Sequence, residues 1–497
     1  MKLFDSSGKV KRVMGEVRRK GAKPLYIQIK EILERDIRKG LFRPGERLPT
    51  EKELCEKFGV SRTTVRQALN ELAKEGLLYR HQGSGSYVTY RSSIKRKELY
   101  VVVPDEFWIP PLRKIVRSYH NGHPGERLRV KVLVMGGPEF HAEIVDAVGK
   151  GQAPDIALID WIRLAEFADM RYIEPLDELD AKWVEEFKAD LLPIFAENSF
   201  YQGHFWGVQI DTTLAVLWYR KDILREEQVS PPKTWDELVL AAKHFQRESL
   251  RRRYGLGPFP IAFPGGPEAE EITTYILSAF IWSAGGEIVK EGKIVLDEGT
   301  EEALKFLYDL VHTHRLAPLD VVSYGWKTVP TLFAKGEVVF AFGGTYEKGL
   351  IQEITGWDES MFRERVGFAP IPAGPGGRPA TTAGGMVYVI FRQSKYPGEA
   401  LELLKAVSSP PLMLEFCRKT GRKPTRVSVT KALDPERDWF IYETSKFFGL
   451  ARVRPIIPQY VRVSEQLRLM LANVLLGKED IDEAVDKAQI IIDALLS

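Results

Sequence analysis

The segment from Ser61 to Arg66, S-R-T-T-V-R, combines side chains that can read double-stranded DNA. Guanidinium groups bind guanine edges or phosphates, and hydroxyl groups bind phosphates or contact thymine methyl groups. A glycine-punctuated segment, H-Q-G-S-G-S-Y-V, follows at 81–88 and lets the backbone approach DNA closely. The expected DNA contacts are Lys52, Ser61, Arg62, Thr63, Thr64, Arg66, His81 and Gly83.

Three predicted helices position this segment. Apolar residues recur with a helical period over 25–39, and Thr50 with Glu53 predicts a capping box at the start of a second helix. Ser61 can cap the third helix, and two short predicted strands enclose the glycines that follow it. This order is typical of a winged helix-turn-helix. A helical bundle with a polar face is the alternative, and the cap and the glycine turn at this spacing argue against it.

Aromatic, carboxylate and glycine residues gather near the ends of predicted strands in the rest of the chain. Ligands of open α/β folds bind outside the carboxyl ends of strands. Flat aromatic faces and carboxylates together suit a sugar, while core packing is the alternative for each tryptophan. The expected ligand-binding residues are Trp108, Asp160, Trp161, Trp206, Asp211, Trp282, Trp326, Gly344, Tyr346 and Gly385.

Motifs for catalysis are missing from the sequence. His312 and His314 have no carboxylate at a zinc-ligand spacing, and neither G-x-S-x-G nor G-x-x-x-x-G-K-[S/T] occurs. Cys55 and Cys417 lie in apolar helical patterns and predict two buried thiols. We therefore expect no catalytic residue, no metal site and no cofactor.

Charge is distributed unevenly along the 497 residues, although the net charge is only +3. Residues 1–98 hold 24 Lys and Arg against 12 Asp and Glu, and the remainder holds 47 against 56. A basic module on an acidic body suggests a polyanion partner at one end, with a solvated basic tail as the alternative. The N-terminal residues lack the apolar core of a signal peptide, and no apolar run is long enough to span a membrane. We expect a cytoplasmic protein.

Length and pattern together predict several domains, because one hydrophobic core does not grow to this size. Strands alternate with amphipathic helices after residue 98, which predicts α/β architecture with mostly parallel sheets. Some 400 residues exceed one such sheet, so two lobes are expected. The predicted segments are a basic extension (1–23), a winged helix (24–90), a linker (91–97), lobe 1 (98–211 and 327–381) and lobe 2 (212–326 and 382–497).

Three motifs within residues 24–90 carry a family resemblance. They read P-L-Y-I-Q-I-K-E-I-L, G-L-F-R-P-G-E-R-L-P-T-E-K-E-L and V-S-R-T-T-V-R-Q-A-L. With the glycine wing they resemble the winged-helix domain of GntR-family transcription regulators. The resemblance implies a near-palindromic operator bound by a homodimer. Where the family typically has an arginine between two glutamates, this chain has Lys52, which suits phosphate rather than bidentate base contact.

Motifs after residue 98 carry a second resemblance. They include P-D-I-A-L-I-D at 154–160, L-W-Y-R-K-D at 217–222, P-K-T-W-D-E-L at 232–238 and A-G-G-M-V-Y-V-I at 383–390. Their order is similar to that of the extracellular solute-binding proteins of sugar ABC transporters. The resemblance implies a two-lobed α/β domain of the periplasmic-binding-protein type, class II, that closes on a sugar or oligosaccharide.

Together the two resemblances predict a regulator whose operator binding is controlled by a small molecule. A transport subunit is the first alternative, and the DNA-reading segment argues against it. An enzyme with an aminotransferase-like body is the second alternative. It needs a Schiff-base lysine in a pyridoxal site, for which the binding-protein motifs leave no place.

Overall fold

The chain divides into two compact units, residues 1–158 with 390–403 and residues 159–389 with 404–497. The computed structural model describes residues 3–4, 10–11, 23–42, 45–81, 85–89, 98–104, 106–122, 129–135 and 140–497. The predicted linker 91–97 therefore lies outside the described residues, as does most of the extension 1–23.

Three helices and a hairpin form the head of the first unit. Two short strands precede them, and the elements in chain order are β1 (Leu3–Phe4), β2 (Val10–Lys11), α1 (Leu25–Arg38), α2 (Glu51–Phe58), α3 (Arg62–Lys74), β3 (Leu78–His81) and β4 (Gly85–Val88). The predicted capping box is present, because the Glu53 N–H donates to Thr50 Oγ1 at 3.3 Å and the Thr50 N–H donates to Glu53 Oε2 at 2.7 Å. Gly59 makes the turn before α3 with a φ of 63°, a value that favours glycine. The winged helix-turn-helix predicted from the sequence is confirmed.

A parallel sheet follows the head in the first unit. Its elements are β5 (Glu98–Val103), α4 (Ile109–Gly122), β6 (Arg129–Val134), α5 (Phe140–Gly149) and β7 (Ile156–Asp160). Strand β5 is wholly buried and pairs in parallel with β6 and with β7. Parallel strands joined by helices agree with the alternation read from the sequence.

The remaining elements belong mainly to the second unit. The helices are α6 (Leu164–Asp169), α7 (Leu176–Ala189), α8 (Pro193–Asn198), α9 (Lys221–Glu226), α10 (Trp235–Gln246), α11 (Glu248–Tyr254), α12 (Glu271–Ser283), α13 (Glu298–Val311), α14 (Thr328–Ala334), α15 (Lys348–Thr355), α16 (Glu359–Arg365), α17 (Pro397–Val407), α18 (Pro410–Thr420), α19 (Val427–Lys431), α20 (Trp439–Ser445), α21 (Tyr460–Leu475) and α22 (Ile481–Leu496). The strands are β8 (Phe200–Tyr201), β9 (His204–Phe205), β10 (Asp211–Arg220), β11 (Ile261–Ala262), β12 (Val289–Lys290), β13 (Lys293–Ile294), β14 (Phe340–Gly344), β15 (Val366–Ala369), β16 (Thr381–Gly384), β17 (Met386–Ile390), β18 (Lys423–Pro424) and β19 (Ala451–Val453).

Strand β10 is the centre of the main sheet of the second unit. It pairs antiparallel with β14, β15, β16 and β18, while β11 with β14 and β16 with β19 are parallel pairs. The expectation of mostly parallel sheets is therefore wrong for this sheet. The predicted lobes are also wrong, because β14 and β15 (within 327–381) hydrogen-bond to β10 instead of grouping with 98–211. Strand pairing joins distant segments, and hydrophobic periodicity does not record it.

Helix α12 runs through the interior of the second unit. Every residue from Thr273 to Ser283 is buried, as expected for a helix that is apolar on all sides. It packs against β16, α13 and α21. This packing fixes Glu271 and Tyr275, on the first turns of α12, in position for the cavity described below.

Both cysteines are free thiols; Cys417 is buried and Cys55 is half-buried. Across the described part of the chain, no helix is long and apolar enough to cross a membrane. Nor do the described residues include a cluster of three or more His, Cys, Asp or Glu placed to hold a metal ion.

Candidate DNA-reading surface and effector cavity

Helix α3 presents a polar face to solvent and an apolar face to the core of the head. The side chains of Arg62 and Arg66 are 69% and 54% exposed. Ser61 caps the helix by accepting the Thr64 N–H at 3.3 Å, and Thr63 is exposed beside them. The opposite stripe, Val65, Ala68, Leu69 and Leu72, is buried. The first turn of α3 is therefore free to enter a DNA groove, which is how a recognition helix reads bases.

One carboxylate holds three arginines of this surface. Glu51 Oε2 accepts from Arg62 Nε at 2.7 Å and from Arg66 Nε at 3.0 Å, and Glu51 Oε1 accepts from Arg80 Nη2 at 2.6 Å. Burial of Glu51 would raise its pKa, but the hydrogen bonds from Arg62 and Arg66 outweigh this and lower the pKa. Arg80, on β3, also donates to Asn70 of α3. The guanidinium groups are thus oriented before DNA arrives.

Lys52 is exposed on the first turn of α2, next to Glu51. His81 is the last residue of β3, and Gly83 lies outside the described residues. DNA contacts by these three residues stay predictions.

A cavity of about 150 Å³ lies within the second unit. Asp160, Tyr346 and Gly385 line it as predicted, and they come from three segments far apart in the chain. The other lining residues are Thr213, Glu271, Ile272, Tyr275, Gly384, Met386, Arg422 and Arg454. The lining is thus mostly polar, and no tryptophan belongs to it in the part of the chain that the structure describes.

The Arg454 guanidinium is the central charged group of this cavity. Its side chain is 3% exposed and donates to Glu271 Oε1, which also accepts from Tyr460 Oη at 2.9 Å. The Glu271 carboxylate raises the pKa of Arg454 although burial alone would lower it, so the guanidinium stays charged. Arg454 Nε has no hydrogen-bond partner among the described residues. A buried donor of this kind is available to a ligand oxygen.

Asp160 and Tyr346 add an acceptor and a donor. Burial raises the pKa of Asp160 to about 6, with a partial offset from Arg454. Asp160 Oδ1 accepts the Ile162 N–H at 3.3 Å. Burial also raises the pKa of Tyr346 well above its usual value, and within the described chain its hydroxyl has no hydrogen-bond partner. Near neutral pH the cavity therefore offers a carboxylate, a neutral phenol and a guanidinium.

Three other predicted residues lie beside the cavity rather than in its lining. Trp161 is buried under Arg454, whose Cζ is 5.6 Å from the ring centroid. Asp211 is fully buried and accepts from Arg422 Nη1 at 2.9 Å. Gly344 lies directly against the ring of Tyr346, with no room for a side chain. All three support lining residues.

Two predicted tryptophans are packed elsewhere in the second unit. Trp206 is 6% exposed and donates its indole N–H to the Tyr201 carbonyl at 2.8 Å. Trp282 is 4% exposed, and Arg452 Cζ lies 5.1 Å from its ring centroid. Core packing, the alternative considered for each tryptophan, describes both.

Trp326 and Trp108 complete the predicted set. Trp326 is 50% exposed, and the Lys327 ammonium lies 4.8 Å from its ring centroid. Trp108 belongs to the first unit and is 1% exposed. The expectation that aromatic faces form the ligand platform therefore has no support in the cavity of the second unit.

Sequence reasoning missed several functional candidates. In the head it missed Glu51 and Arg80, although Y-R-H directly before the glycine turn was an available signal. In the cavity it missed charged residues on α12 and near β18 and β19, which no local motif marks. These are Glu271, Arg422 and Arg454.

Comparison with known families agrees with this geometry. Residues 25–88 match the family described as bacterial regulatory proteins, gntR family. The arrangement is that of a GntR-type DNA-binding transcriptional regulator fused to a two-lobed solute-binding domain. Residues 107–413, more than half of the chain, match the family described as bacterial extracellular solute-binding protein, and the chain belongs to that family.

Individual relatives match one part or the other. A binding protein of Brucella abortus is 25% identical over 396 residues, covering 78% of this chain and 90% of the relative. The uncharacterized HTH-type transcriptional regulator YurK of Bacillus subtilis is 51% identical over 79 residues, which cover 16% of this chain and 32% of YurK. Among solved structures, maltose-bound MalE3 of T. maritima has a TM-score of 0.68 at 27% identity, covering 80% of this chain and 99% of that one.

Proposed function

We propose that this protein is a cytoplasmic, homodimeric regulator that binds a near-palindromic operator through α3 and senses a sugar in the cavity of Asp160 and Arg454. The presence of both sites in one chain carries the proposal. A DNA-reading face with exposed Arg62 and Arg66 has no use in a transport subunit. The protein acts by binding and performs no reaction, in keeping with its relatives, which are binding proteins and regulators.

The cavity chemistry favours a neutral polyhydroxyl ligand. A sugar hydroxyl both donates and accepts, so it can donate to the Asp160 carboxylate and accept from Arg454 Nε or Tyr346 Oη. Opposite charges nearly balance in the cavity, because Arg454 is paired with Glu271 and Arg422 with Asp211. A cavity near 150 Å³ holds about one six-membered ring. We infer that one sugar ring is bound here.

Thermal unfolding across a panel of monosaccharides and disaccharides tests the sugar. A sugar at ~100 times its Kd should stabilise the protein by ~2.7 kcal/mol. Tyr346→Phe should weaken that binding about 5- to 10-fold, because it removes one hydrogen bond worth ~1 kcal/mol without disturbing a partner.

Arg452→Met is the control, because Arg452 pairs with Glu287 and does not line the cavity. It should leave sugar binding unchanged. No stabilisation by any sugar, or equal binding by Tyr346→Phe and the unmodified protein, would contradict the assignment of the cavity. Loss of operator binding in Arg62→Ala tests the DNA half separately.

A further inference from the structure

The second unit contains a second cavity, of about 340 Å³, that has no lining residue in common with the effector cavity. It is formed by the start of α10, the middle of α13 and the segment 373–375. Its lining residues are Thr234, Trp235, Asp236, Val239, Glu302, Lys305, Phe306, Asp309, His314, Ala373, Gly374 and Pro375. Neither the DNA-reading surface nor the sugar cavity uses any of them.

Negative charge dominates this lining. Asp236, Glu302 and Asp309 face one ammonium group, that of Lys305. The helix start at α10 does not offset this excess, because its own amides are already bound. Thr234 Oγ1 accepts the Glu237 N–H at 3.2 Å. Net negative charge favours a cationic ligand over an anion.

An aromatic pair forms one wall of the cavity. The rings of Trp235 and Phe306 stack with centroids 4.3 Å apart and an interplanar angle of 15°. Gly374 covers the edge of the indole, since a Cβ there would lie 2.9 Å from Trp235 Cζ2 and Cη2 and 3.0 Å from Cε2. Only glycine permits this approach. The indole edge that carries Nε1 therefore faces a residue of the cavity wall.

The Trp235 indole N–H is the second, independent sign of a ligand. Trp235 is 4% exposed, and Nε1 has no hydrogen-bond partner in the described part of the chain. A buried N–H left without a partner destabilises a protein, whereas an oxygen acceptor delivered by a ligand removes that cost. Carboxylates beside an aromatic wall are also the groups that hold an ammonium ion.

We propose that this cavity is a second ligand site, selective for a small organic ammonium ion that also carries hydroxyl oxygens. The ammonium group pairs with Glu302 and Asp309, and an oxygen accepts from Trp235 Nε1. The regulator then has two small-molecule inputs, one for a neutral sugar and one for an amine.

Glucosamine and glucose are the matched probes, since they differ only in an ammonium group against a hydroxyl group at one carbon. Isothermal titration calorimetry of the full chain should show glucosamine binding at least 10-fold more tightly than glucose at this site. The double variant Glu302→Gln/Asp309→Asn should weaken glucosamine at least 10-fold. The control Glu298→Gln/Asp486→Asn makes the same charge change at exposed positions outside the cavity and should alter binding less than twofold.

Two further variants separate this site from the effector cavity. Trp235→Phe keeps the aromatic stack, removes the N–H and should weaken glucosamine several-fold, while Tyr346→Phe should not affect it. Equal affinities for glucose and glucosamine, no binding at millimolar concentration, or unchanged binding by the double variant would each overturn the proposal. Loss of glucosamine binding in Tyr346→Phe would also overturn it, because the amine would then occupy the effector cavity.

Discussion

Asp160→Asn should stabilise the protein at alkaline pH while it weakens sugar binding. The Asp160 carboxylate lies in the effector cavity, where burial raises its pKa from 3.8 to about 6. The unfolded chain thus ionises at a lower pH than the folded protein does. As the pH rises from about 4 to about 6, the free energy of unfolding falls, and the cost is then constant. Asparagine has no proton to lose and can keep the hydrogen bond from the Ile162 N–H.

The size of the effect comes from the pKa difference. At ~1.36 kcal/mol per pKa unit, ionising Asp160 costs about 1.6 kcal/mol at pH 5 and about 3 kcal/mol at pH 8. Asp160 is only partly exposed, so contact with water screens a minor part of this cost. The Asp160→Asn variant should therefore gain stability at both pH values, and more at pH 8.

Urea denaturation of the full chain at pH 5 and pH 8 measures the gain, with Asp486→Asn, an exposed position on α22, as the matched control. The control should change stability little at either pH. A gain that does not depend on pH, or a loss of stability at pH 8, would refute the reasoning about Asp160. An unchanged sugar affinity would refute its place in the site.

The head gives three further predictions, all measured by DNA titration at several salt concentrations. Glu51→Gln should strengthen binding to random DNA and steepen its salt dependence by ~0.9 in log–log slope for each arginine released to a phosphate, so an unchanged slope contradicts the role of Glu51. Arg62→Ala should cost ~1–3 kcal/mol on the operator and relax base preference, whereas equal losses on operator and random DNA exclude base reading. Lys52→Ala should weaken all sequences alike and flatten the salt dependence, and a loss confined to the operator would show that Lys52 reads bases.

Local features of the head could be predicted from the sequence because their chemistry is local. The capping box of Thr50 and Glu53, the cap at Ser61 and the turn at Gly59 each involve residues within a few positions of one another. The carboxylate of Glu51 escaped prediction, because it meets Arg80 only after the hairpin packs on the helices.

The body was predictable in its elements but not in its sheet. Buried runs and amphipathic helices mark where strands and helices lie. Nothing in such runs indicates that β14 and β15 pair with β10, and the predicted lobes failed for that reason.

The ligand cavity was predictable only in part, for a related reason. Asp160, Tyr346 and Gly385 follow or begin strands, and position alone indicated them. Arg454 lies far along the chain, and only the fold brings it to Asp160. The tryptophans were overvalued, since Trp161 and Trp282 have a guanidinium group near their rings.

The affinity of the effector sugar, measured with and without operator DNA, tests the central claim most directly. The sugar is the one that most raises the unfolding temperature in the panel. Coupling between two sites is reciprocal, and typical values of ~1–3 kcal/mol predict that the operator changes the Kd of the sugar by ~5- to 150-fold. The sugar must change the Kd of the operator by the same factor. An identical Kd for the sugar with and without operator would contradict control of DNA binding by the effector.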